Sequence, residues 1–297
     1  MKKIAVVGGA NVDIMAQSEN KIVPHDSNPG RVAITFGGVG RNIAHNLRLL
    51  GHDVSLISVF GDDMPGGFLM EHCRGLGMDL HLSQRLPGAR SNFYVCLSDF
   101  DGEMVNAVSD MTLMERLTPQ FLLEKTVEIN THDAMAVDAN LTAESLGCLF
   151  RRVSVPVFAD AVSSAKAVRI SQALDESRTE LFLLKANRLE ARVMTGSDDL
   201  HGMVSRLHAM GVVHVVITMG ADGVLHSGPD GETFVPGVPV DVVNTTGAGD
   251  ALLAGTVSGY VEGLTIQSAL RVGVEAASQT LVVESAVNPD LSLNLSI

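Results

Sequence analysis

Between residues 134 and 218 short apolar runs recur, and a stretch of helical character separates each from the next. The runs cover 134–137, 155–159, 181–184 and 212–218. They are too short for helices and apolar on both faces, as buried parallel strands are. Strands joined by crossover helices predict an α/β chain with a mostly parallel sheet flanked by helices on both faces. In such a sheet, polar residues at the carboxyl ends of the strands converge on one rim, where ligands bind. Asp138, Asn140, Asp160, Asn187 and Glu190 all follow such ends. An earlier run, 4–7, ends at Gly8-Gly9 and leads to Asn11 and Asp13. Turn chemistry explains one polar residue at a strand end. Eight of them, counting Asp250 below, are better explained as a site.

The first third of the chain departs from the alternation. Pro24, Asp26, Asn28, Pro29 and Gly30 mark turns, and 31–36 reads as a strand. Gly37-Gly38-Val39-Gly40-Arg41-Asn42 opens an amphipathic helix with Val39, Ile43, Leu47 and Leu50 on one face, and Gly51 stops it. Residues 54–60 read as a strand, 65–76 as a helix and 80–82 as a short strand. The segments 92–97 and 103–108 flank Asp101-Gly102, a two-residue hairpin turn. A second hairpin centres on Asp230-Gly231, and Thr142 is placed to cap a helix over 143–152. Segments 14–36 and 90–109 are expected to form a small β-sheet lid on a single domain spanning 1–297.

Chemistry concentrates in Val243-Asn244-Thr245-Thr246-Gly247-Ala248-Gly249-Asp250-Ala251. The apolar run 238–243 reads as a strand entering a turn. Leu252, Leu253, Thr256, Val257, Tyr260 and Val261 then recur at helical spacing up to Gly263. Glycines at a helix entrance let backbone N–H groups approach an anion, and the helix dipole favours negative charge there. Asp250, in the first turn, is a carboxylate able to take a proton from a hydroxyl. An Asp in a first turn is also favoured by the dipole alone, so this stretch needs the rim residues beside it to signify catalysis.

Composition excludes several classes. A net charge of −13 without like-charged blocks argues against nucleic-acid binding. Cys73, Cys96 and Cys148 form no CxxC pair and read as free thiols. The opening apolar run is too short for a signal peptide and no run approaches membrane-spanning length, so a cytoplasmic location and no membrane partner are expected. A P-loop kinase would need Gly-Lys-Ser/Thr, and a Rossmann dehydrogenase would need G-x-G-x-x-G after the first strand; neither occurs. A sugar-binding regulator would have no need of Asp250 with its glycine cradle.

The chain resembles the ribokinase-like (PfkB) carbohydrate and nucleoside kinases over nearly its whole length. The N-terminal signature stands as Gly37-Gly38-Val39-Gly40-Arg41-Asn42-Ile43-Ala44, and the C-terminal one as Asn244-Thr245-Thr246-Gly247-Ala248-Gly249-Asp250. Between them, Asn187-Arg188-Leu189-Glu190 is similar to the family's N-x-x-E, and Thr218-Met219-Gly220-Ala221-Asp222-Gly223 to its T-x-G-x-x-G. Each motif is weak alone; four in order are specific together. Segments 26–30, 38–44, 138–140 and 287–292 resemble the pseudouridine-kinase branch.

The resemblance implies ATP-dependent transfer to the 5′-hydroxyl of a ribosyl group, with pseudouridine as acceptor; ribose, uridine, adenosine and inosine stay open as alternatives. It implies Asp250 as base, and the amides of Gly247, Ala248 and Gly249 as an anion hole. Asn187 and Glu190 would organise the phosphates and Mg2+, the glutamate indirectly. Thr218, Gly220 and Gly223 would line the ATP site, with Asn288 near the adenine. Asn11, Asp13, Gly38 and Asn42 would hold the ribose hydroxyls. Asn140 and Lys166, with Asp138 and Asn92, are candidates to face the base. The lid would close over the nucleoside and form a homodimer contact. Two departures stand out: Ala186 replaces a common Pro, and Asn244 replaces an Asp that helps bind K+ in the family, which leaves K+ activation open.

Overall fold

The computed structural model describes residues 1–293. In chain order its strands begin with β1 (Lys3–Val7), β2 (Asn11–Ser18), β3 (Gly30–Gly37), β4 (Asp53–Ile57), β5 (Val59–Gly61), β6 (Gln84–Leu86) and β7 (Phe93–Ser98). They continue with β8 (Met104–Asp110), β9 (Ala134–Asp138), β10 (Val157–Asp160), β11 (Leu181–Asn187), β12 (Val212–Thr218), β13 (Gly223–Gly228) and β14 (Gly231–Pro236). The helices are α1 (Val39–Leu49), α2 (Met64–Gly75), α3 (Pro119–Leu123), α4 (Thr126–Ile129) and α5 (Ala143–Arg152). After them come α6 (Ser164–Ser177), α7 (Arg188–Thr195), α8 (Leu200–Ala209), α9 (Ala248–Val261) and α10 (Ile266–Leu281).

The main sheet runs β14-β13-β12-β11-β10-β9-β1-β4, parallel from β12 to β4 and antiparallel at β13 and β14. Its strands alternate with period 2, and both faces are apolar. Ile4, Val6, Leu56, Phe158, Leu183 and Val216 pack with Ile43, Leu69, Leu253 and Leu270 of α1, α2, α9 and α10. Ala5, Val7, Ile57, Val137, Leu184 and Ile217 pack with Leu146, Ile170, Met194 and Leu207 of α5, α6, α7 and α8. Each fully buried Leu or Ile contributes about 1.5–3 kcal/mol of transfer free energy. This is the α/β architecture expected, with helices on both faces.

Side-chain caps start the helices where the sequence places Asp or Thr. Asp63 accepts from Gly66 N at 3.0 Å, Thr142 from Ser145 N at 3.2 Å, and Asp199 from Gly202 N at 2.8 Å. Helix α9 is buried almost all round, between the sheet, α1 and α10, so its N-terminus is held rigidly at the carboxyl edge of the strands.

A separate four-stranded sheet runs β3-β2-β7-β8. Its root packs on the main body through Val12, Phe36 and Phe93. Farther out, Ile34, Ile14, Val95 and Val108 stand opposite one another in one row across the four strands. Ile34 and Val108 are 67% and 65% exposed, so this row is a bare apolar face.

Several local expectations change. Asn11 and Asp13 belong to the small sheet's first strand, because β1 ends at Val7. Residues 54–60 split into β4 and β5, as the chain leaves the main sheet to pair β5 with β6. Residues 80–82 are a turn in which Asp79 accepts from His81 N at 3.0 Å, and the short strand follows at Gln84–Leu86. The hairpin loop has three residues rather than two: Gly102 N donates to Asp99 O at 3.0 Å, Asp99 N donates to Glu103 O at 2.8 Å, and Gly102 takes φ 86°. Residues 238–243 form no strand. Pro239 removes a donor, and Val238, Val240 and Val242 line a cleft instead of pairing.

Candidate active site

The first turns of α1 and α9 meet at the carboxyl edge of the main sheet. Asn42 Nδ2 donates to Asp250 Oδ2 at 2.7 Å. Asn42 Oδ1 is buried and has no hydrogen-bond partner among the described residues, an orphaned acceptor suited to a hydroxyl. Gly38 precedes α1 with φ 101°. Gly247 precedes α9 with φ 82°, and a β-carbon there would lie 1.8 Å from Ala286 O, so no other residue fits. Ala248 N reaches Thr245 O at 3.4 Å, while the N–H groups of Gly249 and Asp250 meet no acceptor among the described residues. Two open donors at a helix N-terminus form an anion cradle.

Asp250 is only 7% exposed. Burial, then the charge of Asp160, push its carboxyl up to about 7, against the pull of Lys185 and the Asn42 hydrogen bond. A carboxyl poised there is suited to accept a proton near neutrality.

Lys185 and Asp160 lie beside this pair, the ammonium 2.8 Å from Asp160 Oδ2 and both side chains buried. Sequence reasoning put Asp160 on the rim without a role and missed Lys185. The signal was present: a lone lysine inside an apolar strand demands a buried partner. Arg41, also buried, donates to the carbonyls of Phe36 and Gly37 and so ties β3 to α1.

On the small-sheet side, Asn11 donates to Asp13, whose carboxyl is raised by burial. Lys166 Nζ donates to Asn140 Oδ1 at 2.5 Å, and burial lowers its pKa. Arg169 holds the loop below through Asn140 O at 3.0 Å. Asp138 and Asn92 are committed to backbone. Asp138 accepts from Gly9 N at 2.8 Å, Gly40 N at 2.7 Å and Asn140 N at 2.9 Å. Asn92 bridges Ala10 O and Leu113 N, each at 3.1 Å.

On the other side of the α9 N-terminus opens a cleft of about 710 Å3. Thr218, Gly220, Gly223, Ala248 and Gly249 are part of its lining, and Val224, Val240, Val274, Ala277 and Leu281 give an apolar slot. Asn187 and Glu190 form a capping box at α7: Glu190 N donates to Asn187 Oδ1 at 2.9 Å, and Asn187 N to Glu190 Oε2 at 2.8 Å. Burial raises the Glu190 carboxyl. Asn288 lies outside the cleft lining, its amide bonded to Gln279 O at 2.7 Å and its carbonyl to Asp290 N at 3.0 Å.

The model of the pfkB family of carbohydrate kinases matches residues 1–292. The chain belongs to that family. It is therefore an ATP-dependent kinase of a sugar or nucleoside. This PfkB kinase is 34% identical to the pseudouridine kinase of Escherichia coli (strain K12), over 98% of this chain and 94% of that protein. It is 36% identical to an uncharacterized sugar kinase of the same organism, over 97% of this chain and 80% of that protein. Among solved structures it is similar to a carbohydrate kinase from Agrobacterium tumefaciens, with a TM-score of 0.86 and 34% identity over 98% and 94% of the two chains. No helix among the described residues of the kinase is long and apolar enough to cross a membrane.

Proposed function

We propose that this kinase transfers the γ-phosphoryl group of ATP to the 5′-hydroxyl of pseudouridine, releasing ADP and pseudouridine 5′-phosphate. The observation that carries the reading is the buried Asp250–Asn42 pair at the mouth of an open helix N-terminus, with a nucleotide-sized cleft on one side and the paired side chains Asn11–Asp13 and Lys166–Asn140 on the other. Pseudouridine as acceptor is supported by the Escherichia coli relative of that name, which the chain covers almost end to end.

ATP fits the cleft by chemistry. The apolar slot suits an adenine, Thr218, Gly220 and Gly223 form the floor, and the glycine turn faces the phosphates. Asp250 accepts the proton of the attacking hydroxyl, while the open N–H groups of Gly249 and Asp250, with the amides of Gly247 and Ala248 beside them, serve the transferring oxygens as an anion hole. Asn11, Asp13, Gly38 and Asn42 hold the ribose hydroxyls, and Asn140 with Lys166 faces the base. The small sheet closes over the nucleoside as a lid.

Mg2+ when bound neutralises phosphate charge. Such ions keep several waters and take one or two carboxylates besides the phosphates. Glu190, with Asn187 on the phosphates, fits that role; no group of three or more His, Cys, Asp or Glu side chains able to hold a metal occurs among the described residues. Asn288 acts on the adenine end from behind, by fixing the turn after α10.

Weak dependence on K+ follows from Asn244. Its Nδ2 donates to Glu284 O at 2.7 Å and its Oδ1 accepts from Thr246 N at 2.9 Å, so an internal amide holds the loop. A homodimer through the lid is supported by the bare apolar row of Ile34, Val95 and Val108; Ile34→Glu would leave a monomer in light scattering if that face is the contact.

ADP release with Mg-ATP over pseudouridine, uridine, adenosine, inosine, ribose and fructose 6-phosphate tests the acceptor. Preference for pseudouridine is the expected result. Preference for another acceptor overturns the specificity while keeping the kinase, and silence from folded protein overturns the specificity and favours an acceptor outside the panel or a non-catalytic binder.

A further inference from the structure

The side chain at position 185 has three N–H donors and uses one. It donates to Asp160 Oδ2 at 2.8 Å, and no second acceptor is bonded to it among the described residues. Its exposure is 9%, so water does not readily satisfy the other two. Buried polar groups are as a rule paired, and a buried ammonium with spare donors is suited to meet an anion.

Its location says which anion that would be. A β-carbon built on Gly249 would sit 2.7 Å from the ammonium, so the cation stands directly against the Gly249 α-carbon. Gly249 lines the nucleotide cleft, and its open N–H belongs to the anion cradle of α9. The ammonium thus lies beside the donors that face a phosphoryl group, on the side of Asp250 and Asp160.

We propose that Lys185 is a catalytic residue, the formally charged member of the anion hole, held by Asp160 so that its free N–H groups meet an oxygen of the phosphoryl group in transfer. The proposal rests on the kinase reading above. No bond is made or broken at Lys185: the γ-phosphorus–oxygen bond to ADP breaks, the bond to the acceptor oxygen forms, and the hydroxyl proton goes to Asp250. The ammonium offsets the charge on the transferring oxygens. Burial alone would lower the lysine's pKa, but Asp160, Asp250 and Glu190 outweigh it and hold it above the usual value, so it stays protonated while Asp250 titrates. The Asp160 contact serves a second end, since a fixed cation needs no reorganisation when charge develops.

Lys185→Met alone would leave Asp160 buried and unpaired and risks misfolding. The decisive variant is therefore Lys185→Met with Asp160→Asn, which removes both charges and keeps the volumes. Two readouts are taken with the best acceptor of the panel: kcat, and the gain in ADP affinity on adding fluoroaluminate, a mimic of the phosphoryl group in flight, by calorimetry. The expected result is a fall in kcat of about 10²–10³, the usual loss for one such donor, with ADP affinity unchanged and the fluoroaluminate gain abolished. A double variant within about tenfold of wild-type kcat overturns the proposal, being far above the loss expected for a missing donor. A slow double variant that still gains affinity with fluoroaluminate also overturns it, and makes the pair structural. A wild type inert with every acceptor overturns the function itself, and this proposal with it; an active wild type beside an active double variant overturns the proposal alone.

Discussion

The two halves of the site are built from different materials. The half proposed for the nucleotide offers backbone and apolar surface: open amides at α9, glycines after β12, and a slot of valines, alanine and leucine. The half proposed for the acceptor is made of polar side chains already paired with one another, Asn11 with Asp13, Asn42 with Asp250, and Lys166 with Asn140. Backbone donors and apolar walls recognise what all nucleotides share. Side chains locked in pairs have fixed orientations, and a site of that kind discriminates strongly, because a wrong ligand leaves buried groups unpaired. The difference assigns selectivity to the small-sheet side and common chemistry to the helix side.

The largest expected effect lies where the halves touch. Asp250→Asn keeps the Asn42 contact and the cradle but loses the base, so kcat falls by about 10²–10⁴ while ATP binding by calorimetry stays as in wild type. Near-normal turnover would remove Asp250 from the chemistry. Next, Asn42→Ala removes a hydrogen bond to a charged group, and kcat/KM for the acceptor drops about 10–100-fold, from about 1.5–3 kcal/mol, with the KM for ATP unmoved. A matching rise in the KM for ATP would erase the division between halves.

Ala277→Phe overfills the apolar slot and raises the KM for ATP about tenfold, as strained packing of ~1–3 kcal/mol would, and leaves the acceptor's KM alone. Smallest is the cation effect. Replacing K+ by Na+ changes the rate by less than about twofold, since a bonded amide in place of a carboxylate is a poor oxygen ligand for a cation. Asn244→Asp would create a dependence on K+; strong K+ activation of the wild type would contradict the role given to the Asn244–Glu284 contact.

Much of the scaffold was legible because its two periods are clean. Strand runs of four to seven apolar residues separated by helical stretches leave little choice but a covered parallel sheet. The glycine turn before Asp250 was legible for a local reason, since helix, cradle and carboxylate lie within a few residues. What escaped was non-local. Nothing near position 42 says that its amide meets a carboxylate 208 residues away. Lys185 and Asp160, 25 residues apart, pair only because β10 and β11 are neighbours. The run 238–243 misled for a different reason: valines that line a cleft and valines in a buried strand spell the same pattern. Asp138 shows the converse, a rim carboxylate spent on three backbone donors where sequence admits a ligand contact.

The pH dependence of kcat tests the central claim, that Asp250 is a base whose ionisation is set by its burial and by its charged neighbours. With its carboxyl held at about 7, Asp250 is protonated and idle below that pH and competent above it, so kcat should rise through about pH 7 to a plateau. Asp160→Asn takes away the like charge that adds to burial in lifting it and leaves the Lys185 charge, so the rise should move to lower pH. In Asp250→Asn the rise should vanish. A flat wild-type profile across this range, or a rise that survives in Asp250→Asn, would contradict the account.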